Sequence, residues 1–133
     1  MIDDISRNKS AIIQRCLIRI SEEYQGHPAR LDDFTVQDSV VLNLLRACEA
    51  AIDLAMHYVA DGRLGVPQSS RDAFSLLERA GKISSEVSAS MKNMVGFRNI
   101  AVHSYQDLQR PILEAILERH LGDFESFVHE LSR

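Results

Sequence analysis

The sequence predicts an all-α fold, a four-helix up-and-down bundle with one extra short helix. Three observations lead there. Apolar residues recur at helical spacing through most of the 133 residues. Prolines stand only at positions 28, 67 and 111, between the periodic stretches rather than inside them. Nothing alternates at period two for long enough to build a sheet. A chain of this length is expected to form one domain over residues 1–133, large enough to bury a core without staples.

The elements follow in order. From Ile5 to Tyr24 the residues Ile5, Ile12, Ile13, Cys16, Ile20 and Tyr24 keep helical spacing, and Gly26-His27-Pro28 ends the run. Thr35 or Asp38 is positioned to cap a second helix reaching about Asp61. It is mostly apolar, with one narrow polar stripe of Asn43, Arg46, Glu49, Asp53 and His57, so it should be central and packed on several sides. A loop from Asp61 to Pro67 leads to Ser69 and Asp72, spaced as a capping box. The short helix behind them carries Phe74, Leu77 and Ala80 and stops at Gly81. A fourth helix starts near Ser84 or Ser85 and runs towards His103. After the polar segment Gln106 to Arg110, Pro111 suits the first turn of a last helix, whose packing face is Ile112, Leu113, Ile116, Leu117, Leu121, Phe124, Phe127, Val128 and Leu131.

Composition narrows the function classes. Hydrophobic residues make up 45% and charged residues 26%, which excludes disorder. The two cysteines, Cys16 and Cys48, stand far apart, fit no metal-ligand spacing and suit a reducing cytoplasm. The acidic, polar start is unlike a secretory signal, and no apolar run approaches the ~20 residues of a membrane span. The net charge of −4 argues against a protein that coats nucleic acid, though not against an enzyme with a local basic cleft.

One stretch carries chemistry: Met94-Val95-Gly96-Phe97-Arg98-Asn99-Ile100-Ala101-Val102-His103-Ser104-Tyr105. Val87, Met91, Met94, Arg98 and Val102 form one helical stripe, so Arg98 falls where the pattern asks for an apolar residue. A guanidinium there needs a carboxylate, a chain terminus, a partner subunit or an anionic ligand. His103 lies about 140° round an ideal helix from Arg98 and about 7.5 Å along it. The two share no face in strict α geometry, unless the long arginine reaches across or Gly96 loosens the helix. Tyr105 would fall almost beneath Arg98 if the helix continued. Arg and His together suit RNA cleavage through the 2′-hydroxyl: His moves a proton near neutral pH, and Arg holds the phosphate and its developing charge. One His per chain supplies one acid–base group; a two-fold dimer supplies two. A lone Arg and His on a helix are usually structural or solvated, so spacing alone favours that reading over the functional one.

The string MVGFRNIAVHSY resembles the signature of HEPN proteins, and most closely of the HepT-like branch, in which Arg, a polar residue, three more residues and His are followed by one residue and Tyr. Arg98, Asn99, His103 and Tyr105 match position by position. The apolar central helix with His57 near its end, the Ser-Ser-Arg-Asp-Ala-Phe start of the short helix and the final helix after Pro111 fit the same pattern. The resemblance implies a bacterial toxin–antitoxin toxin: a homodimeric, metal-independent endoribonuclease without cofactor. Its active site is composite, with Arg98 and His103 catalytic and Asn99 supporting. It also implies a minimal nucleotidyltransferase antitoxin that silences the toxin by nucleotidylating (AMPylating) Tyr105. Neither DNA nor a membrane is an expected partner.

Two alternatives belong to other classes. A non-catalytic HEPN domain would bind nucleotides or act as the helical companion of a nucleotidyltransferase. A purely structural helical partner would tolerate loss of Arg98 and His103. Asn43, Arg46, Glu49 and Asp53 fit either a line of residues behind the site or a solvated face with i,i+4 pairs. His27, His57, His120 and His129 share no ligand spacing, and no metal site is expected.

Overall fold

The computed structural model describes residues 3–133, and in these the chain is all-helical. α1 spans Asp4–Tyr24, α2 Phe34–Asp61, α3 Ser70–Arg79, α4 Ser85–His103, α5 Arg110–Arg119 and α6 Gly122–Leu131. Short 3-10 turns lie at Pro28–Asp32 and Tyr105–Asp107.

α2 is the hub expected from its composition and packs against α1, α3 and α4. It buries Val40, Val41, Leu44, Ala47, Cys48, Ala51, Leu54 and Ala55, a face too wide for a single neighbour. α1 meets it with Ile13, Cys16, Ile20 and Tyr24, spaced three, four and four. Ile5 does not join them: it is half exposed, and Ser6 is the residue buried there. α3 and α6 meet through Phe74 and Phe127, both fully buried, with ring centroids 5.4 Å apart in an edge-on pair.

Helix ends follow from local chemistry. Asp3 caps α1 by accepting the Ser6 amide at 2.8 Å. α2 begins earlier than either expected cap: Asp33 accepts the Thr35 amide at 2.8 Å. Ser69 caps α3 as its spacing suggests, accepting the Asp72 amide at 3.1 Å, while Asp72 returns a carboxylate to the Gln68 amide at 2.9 Å. α3 ends before Gly81, whose φ of +73° is the left-handed conformation a glycine adopts freely. Ser84 caps α4, accepting the Val87 amide at 3.2 Å, and its own amide and hydroxyl donate to Glu130 of α6 at 2.6 and 3.1 Å. Arg110 fastens the start of α5 by donating to Asp32, the Pro28 carbonyl and Glu114.

The expected last helix is two helices. α5 stops at Arg119, His120 and Leu121 turn the chain, and α6 starts at Gly122. The buried residues Leu113, Ile116, Leu117, Phe124, Phe127 and Leu131 would also suit one uninterrupted helix, because seven positions separate Leu117 from Phe124. Gly122 was the one visible sign of the break.

Candidate active site

α4 delivers the motif. Val87, Met91 and Met94 of its apolar stripe are buried, Arg98 is mostly covered and Val102 is half exposed, so the stripe runs from core to surface. The compensation that Arg98 requires comes from two other helices. Nη2 donates to Ser70 Oγ of α3 at 2.8 Å, and Nη1 lies 3.3 Å from Glu49 Oε1 of α2. Nε is enclosed and has no partner among the described residues. Both Nη atoms therefore have a partner and Nε is enclosed, so the guanidinium is held in one place beside α4.

Glu49 is the member of the α2 stripe that reaches the motif. Asn43 is buried and turns inward, donating to the Ser39 carbonyl at 2.8 Å. Asp53 pairs with Lys9 at 3.0 Å and His57 with Asp3 at 2.6 Å. The Asp3 carboxyl is pulled down to about 2, first by the Ser6 amide and then by His57. His120 pairs with Asp123 at 3.1 Å. Among the described residues, no group of three or more His, Cys, Asp or Glu side chains is placed to hold a metal ion, and no helix is long and apolar enough to cross a membrane.

α4 stays regular through Gly96 and ends at His103, whose side chain is exposed. Arg98 and His103 therefore keep the helical separation of about 140°. Two consecutive residues at the start of α3 reach α4: Ser70 accepts from Arg98, and Arg71 donates from Nε to the Lys92 carbonyl at 3.3 Å. In the last turn of α4, Val102 and His103 are exposed, Ala101 is buried, and Asn99, partly covered, falls between Arg98 and His103 round the helix.

Tyr105 does not fall beneath Arg98. The helix ends first, Ser104 leaves helical conformation at φ −149°, ψ 52°, and the chain turns towards α2. There the phenol donates to Asp38 Oδ1 at 2.7 Å. Partial burial, reinforced by this bond, pushes the phenol up to about 12. Asp38 and Glu49 lie on one face of α2, since eleven residues make almost whole turns. The two motif residues thus dock on the same side of α2, Arg98 at Glu49 and Tyr105 at Asp38. Leu42 and Val102, both about half exposed, lie in the span between these contacts. Sequence reasoning missed Ser70 and Asp38 as partners. Both had been read only as residues of helix starts, where short polar side chains are common.

A profile of the family described as Ribonuclease HepT-like matches residues 11–131. The chain belongs to the HepT-like ribonuclease family. It is 49% identical over 127 residues to the mRNA nuclease HepT of Shewanella oneidensis, covering 96% of each chain. Its fold superposes on that of a toxin–antitoxin crystal structure with AMP-PNP at a TM-score of 0.93, with 47% identity over 98% of both chains. It superposes at 0.92, with 48% identity and the same coverage, on a tri-AMPylated Shewanella oneidensis HEPN toxin in complex with MNT antitoxin. The HepT-like resemblance read from the motif is borne out over nearly the whole chain.

Proposed function

We propose that this chain is the ribonuclease toxin of a bacterial toxin–antitoxin pair, working as a cytoplasmic homodimer and cutting RNA without a metal ion. The observation that carries the reading is the guanidinium of Arg98 pinned in the last third of α4, with His103 exposed at the end of the same helix. The kinship to an mRNA nuclease supports the substrate class.

The chemistry follows from those groups. An imidazole takes the proton of a ribose 2′-hydroxyl, and that oxygen attacks the adjacent phosphorus. The 5′-oxygen leaves with a proton from an imidazolium, giving a 2′,3′-cyclic phosphate and a free 5′-hydroxyl. Arg98 stabilises the extra negative charge on the phosphoryl oxygens in the transition state, and Asn99, between Arg98 and His103 round the helix, steadies the same group. Base and acid are two roles, and His103 of each protomer fills one in a two-fold dimer. The exposed Leu42 and Val102 beside the motif suit burial against a second copy. No step needs a metal-activated water, because the nucleophile belongs to the substrate.

Silencing is proposed to occur by nucleotidyl transfer to Tyr105 from a minimal nucleotidyltransferase antitoxin. A related toxin is known in tri-AMPylated form in complex with MNT antitoxin, and the partly exposed Tyr105 stands two residues past His103. The transfer replaces the phenolic hydrogen with an anionic phosphodiester, which can no longer donate to Asp38 and is repelled by it. The modified side chain would then leave α2 and add anionic bulk at the end of α4 that carries His103.

The test is incubation of the purified chain with single-stranded RNA in EDTA. Cleavage is expected, with cyclic phosphate or its hydrolysis product at the 3′ end, and 2′-O-methyl substitution at the cut should block it. Activity that returns only with added magnesium would overturn the mechanism.

A further inference from the structure

Gly96 sits in the middle of a nineteen-residue helix, where glycine costs roughly 1 kcal/mol relative to alanine. Its place is explained by a neighbour. A Cβ built on Gly96 would meet a single nearby atom, Arg71 Nη2, at 3.0 Å. Arg71 reaches over from the start of α3, donates from Nε to the Lys92 carbonyl, and lays its guanidinium against α4, where it would press on that methyl group. Among the described residues it has no carboxylate partner, unlike Arg98 and Arg110, and it is exposed.

The register of α4 gives this guanidinium a direction. Gly96 and His103 are seven residues apart, within about 20° of each other round the helix and about 10 Å along it. Arg71 and His103 therefore lie along one edge of α4, Arg71 nearer the middle and His103 at the end. Arg98 occupies the opposite edge. An RNA strand with its scissile phosphate between Arg98 and His103 that continues along the His103 edge brings a later phosphate to Arg71.

We infer that Arg71 is a substrate-positioning residue that grips a phosphate of the RNA away from the cut, and that Gly96 is glycine to let it lie there. This rests on the ribonuclease reading above. The free Nη edge of a guanidinium fastened through Nε presents two parallel donors, the arrangement that suits a phosphate. The fastening to the Lys92 carbonyl also holds the group in place before RNA arrives, which lowers the ordering cost of binding.

The experiment measures binding of a 2′-O-methyl RNA, which cannot be cut, across a range of KCl concentrations, beside cleavage of the matching all-ribose RNA. Arg71→Ala should weaken binding roughly tenfold and lower the salt slope by about 0.7, the share of one phosphate on a single strand. Arg71→Lys should recover part of the affinity. Replacing single phosphates near the cut with methylphosphonates should identify one position, other than the scissile one, at which neutralisation weakens the wild type but not Arg71→Ala. Gly96→Ala should move in the same direction as Arg71→Ala with a melting temperature no lower than wild type, since alanine is the better helix former. Affinity and salt slope equal to wild type in Arg71→Ala would overturn the inference while leaving the ribonuclease reading intact. A change of oligomeric mass in Arg71→Ala would also overturn it, by making Arg71 a subunit contact. A wild type that binds no RNA would overturn both.

Discussion

Arg98 is held by Ser70: the guanidinium Nη2 donates to the serine hydroxyl at 2.8 Å, bridging the last third of α4 and the first residue of α3. The bond turns a long, flexible cation into a fixed fork beside the end of α4. Ser70→Ala should leave the melting temperature nearly unchanged, because Ser69 and not Ser70 caps α3. RNA cleavage should fall roughly three- to tenfold, the value of one net hydrogen bond. Arg98→Lys should lose roughly a hundredfold or more, since a point charge cannot hold both Ser70 and a phosphate in one plane. Single-turnover cleavage rates and thermal melts check both variants.

Tyr105→Phe keeps the ring and removes the proposed acceptor of nucleotidyl transfer. It should remain folded, cut RNA, and stay unmodified when co-expressed with its antitoxin, whereas the wild type should carry nucleotide mass on the peptide containing Tyr105. Mass spectrometry reads the modification and a growth assay reads escape. A variant that is toxic alone yet fully neutralised by the antitoxin would make binding, not modification, the means of silencing.

The same phenol gives a pH signature. Its folded value is raised to about 12 by partial burial and the Asp38 bond, above the ordinary phenol range near 10. The protonated form is the one stabilised, so the contribution is fully present below about 10 and is lost as pH rises through about 12. In an alkaline absorbance titration, Tyr105→Phe should remove one late-titrating phenol, and Asp38→Asn should move that phenol back down. Tyr24 remains as a second late phenol, raised to about 12 by burial and its bond to Glu118.

Cys48 should be inert in the folded protein. Burial pushes its thiol up to about 12, the neighbouring Glu49 adds to this, and Arg98 opposes it. Reaction with iodoacetamide at pH 8 should be slow for the native protein and fast after urea unfolding, because the thiolate is the reactive form. Fast labelling of native Cys48 would show that the α2–α4 seam opens readily.

The core gives a stability test independent of function. Phe74 and Phe127 are both fully buried and join α3 to α6. Phe74→Ala should cost about 3–5 kcal/mol, from lost transfer free energy and the cavity left behind. Urea unfolding measures it.

Helices α1 to α4 were legible because each carries a periodic apolar face closed by recognisable end residues, such as Ser69 and Gly81 around α3. The break between α5 and α6 was not legible, since Leu117 and Phe124 keep the register of an unbroken helix across it. At the site, the position of Arg98 on an apolar stripe showed that it needed a partner, and a carboxylate was among the options; Glu49 is that carboxylate. Ser70 and Asp38 could not be read as partners, because contacts across 28 and 67 residues depend on how helices pack. The position of Tyr105 likewise depended on where α4 stops. Helical extrapolation carried it past Ser104, where the chain in fact turns away.

The central claim is that His103 moves the proton in RNA cleavage, and the most direct measurement compares wild type with His103→Ala. Both proteins are purified as folded chains, matched by thermal melting, and assayed on one single-stranded RNA in EDTA. Wild type should cut and leave a cyclic phosphate, while His103→Ala should be slower by about 10²–10⁴ with RNA affinity largely retained. Cleavage by His103→Ala at the wild-type rate would contradict the account.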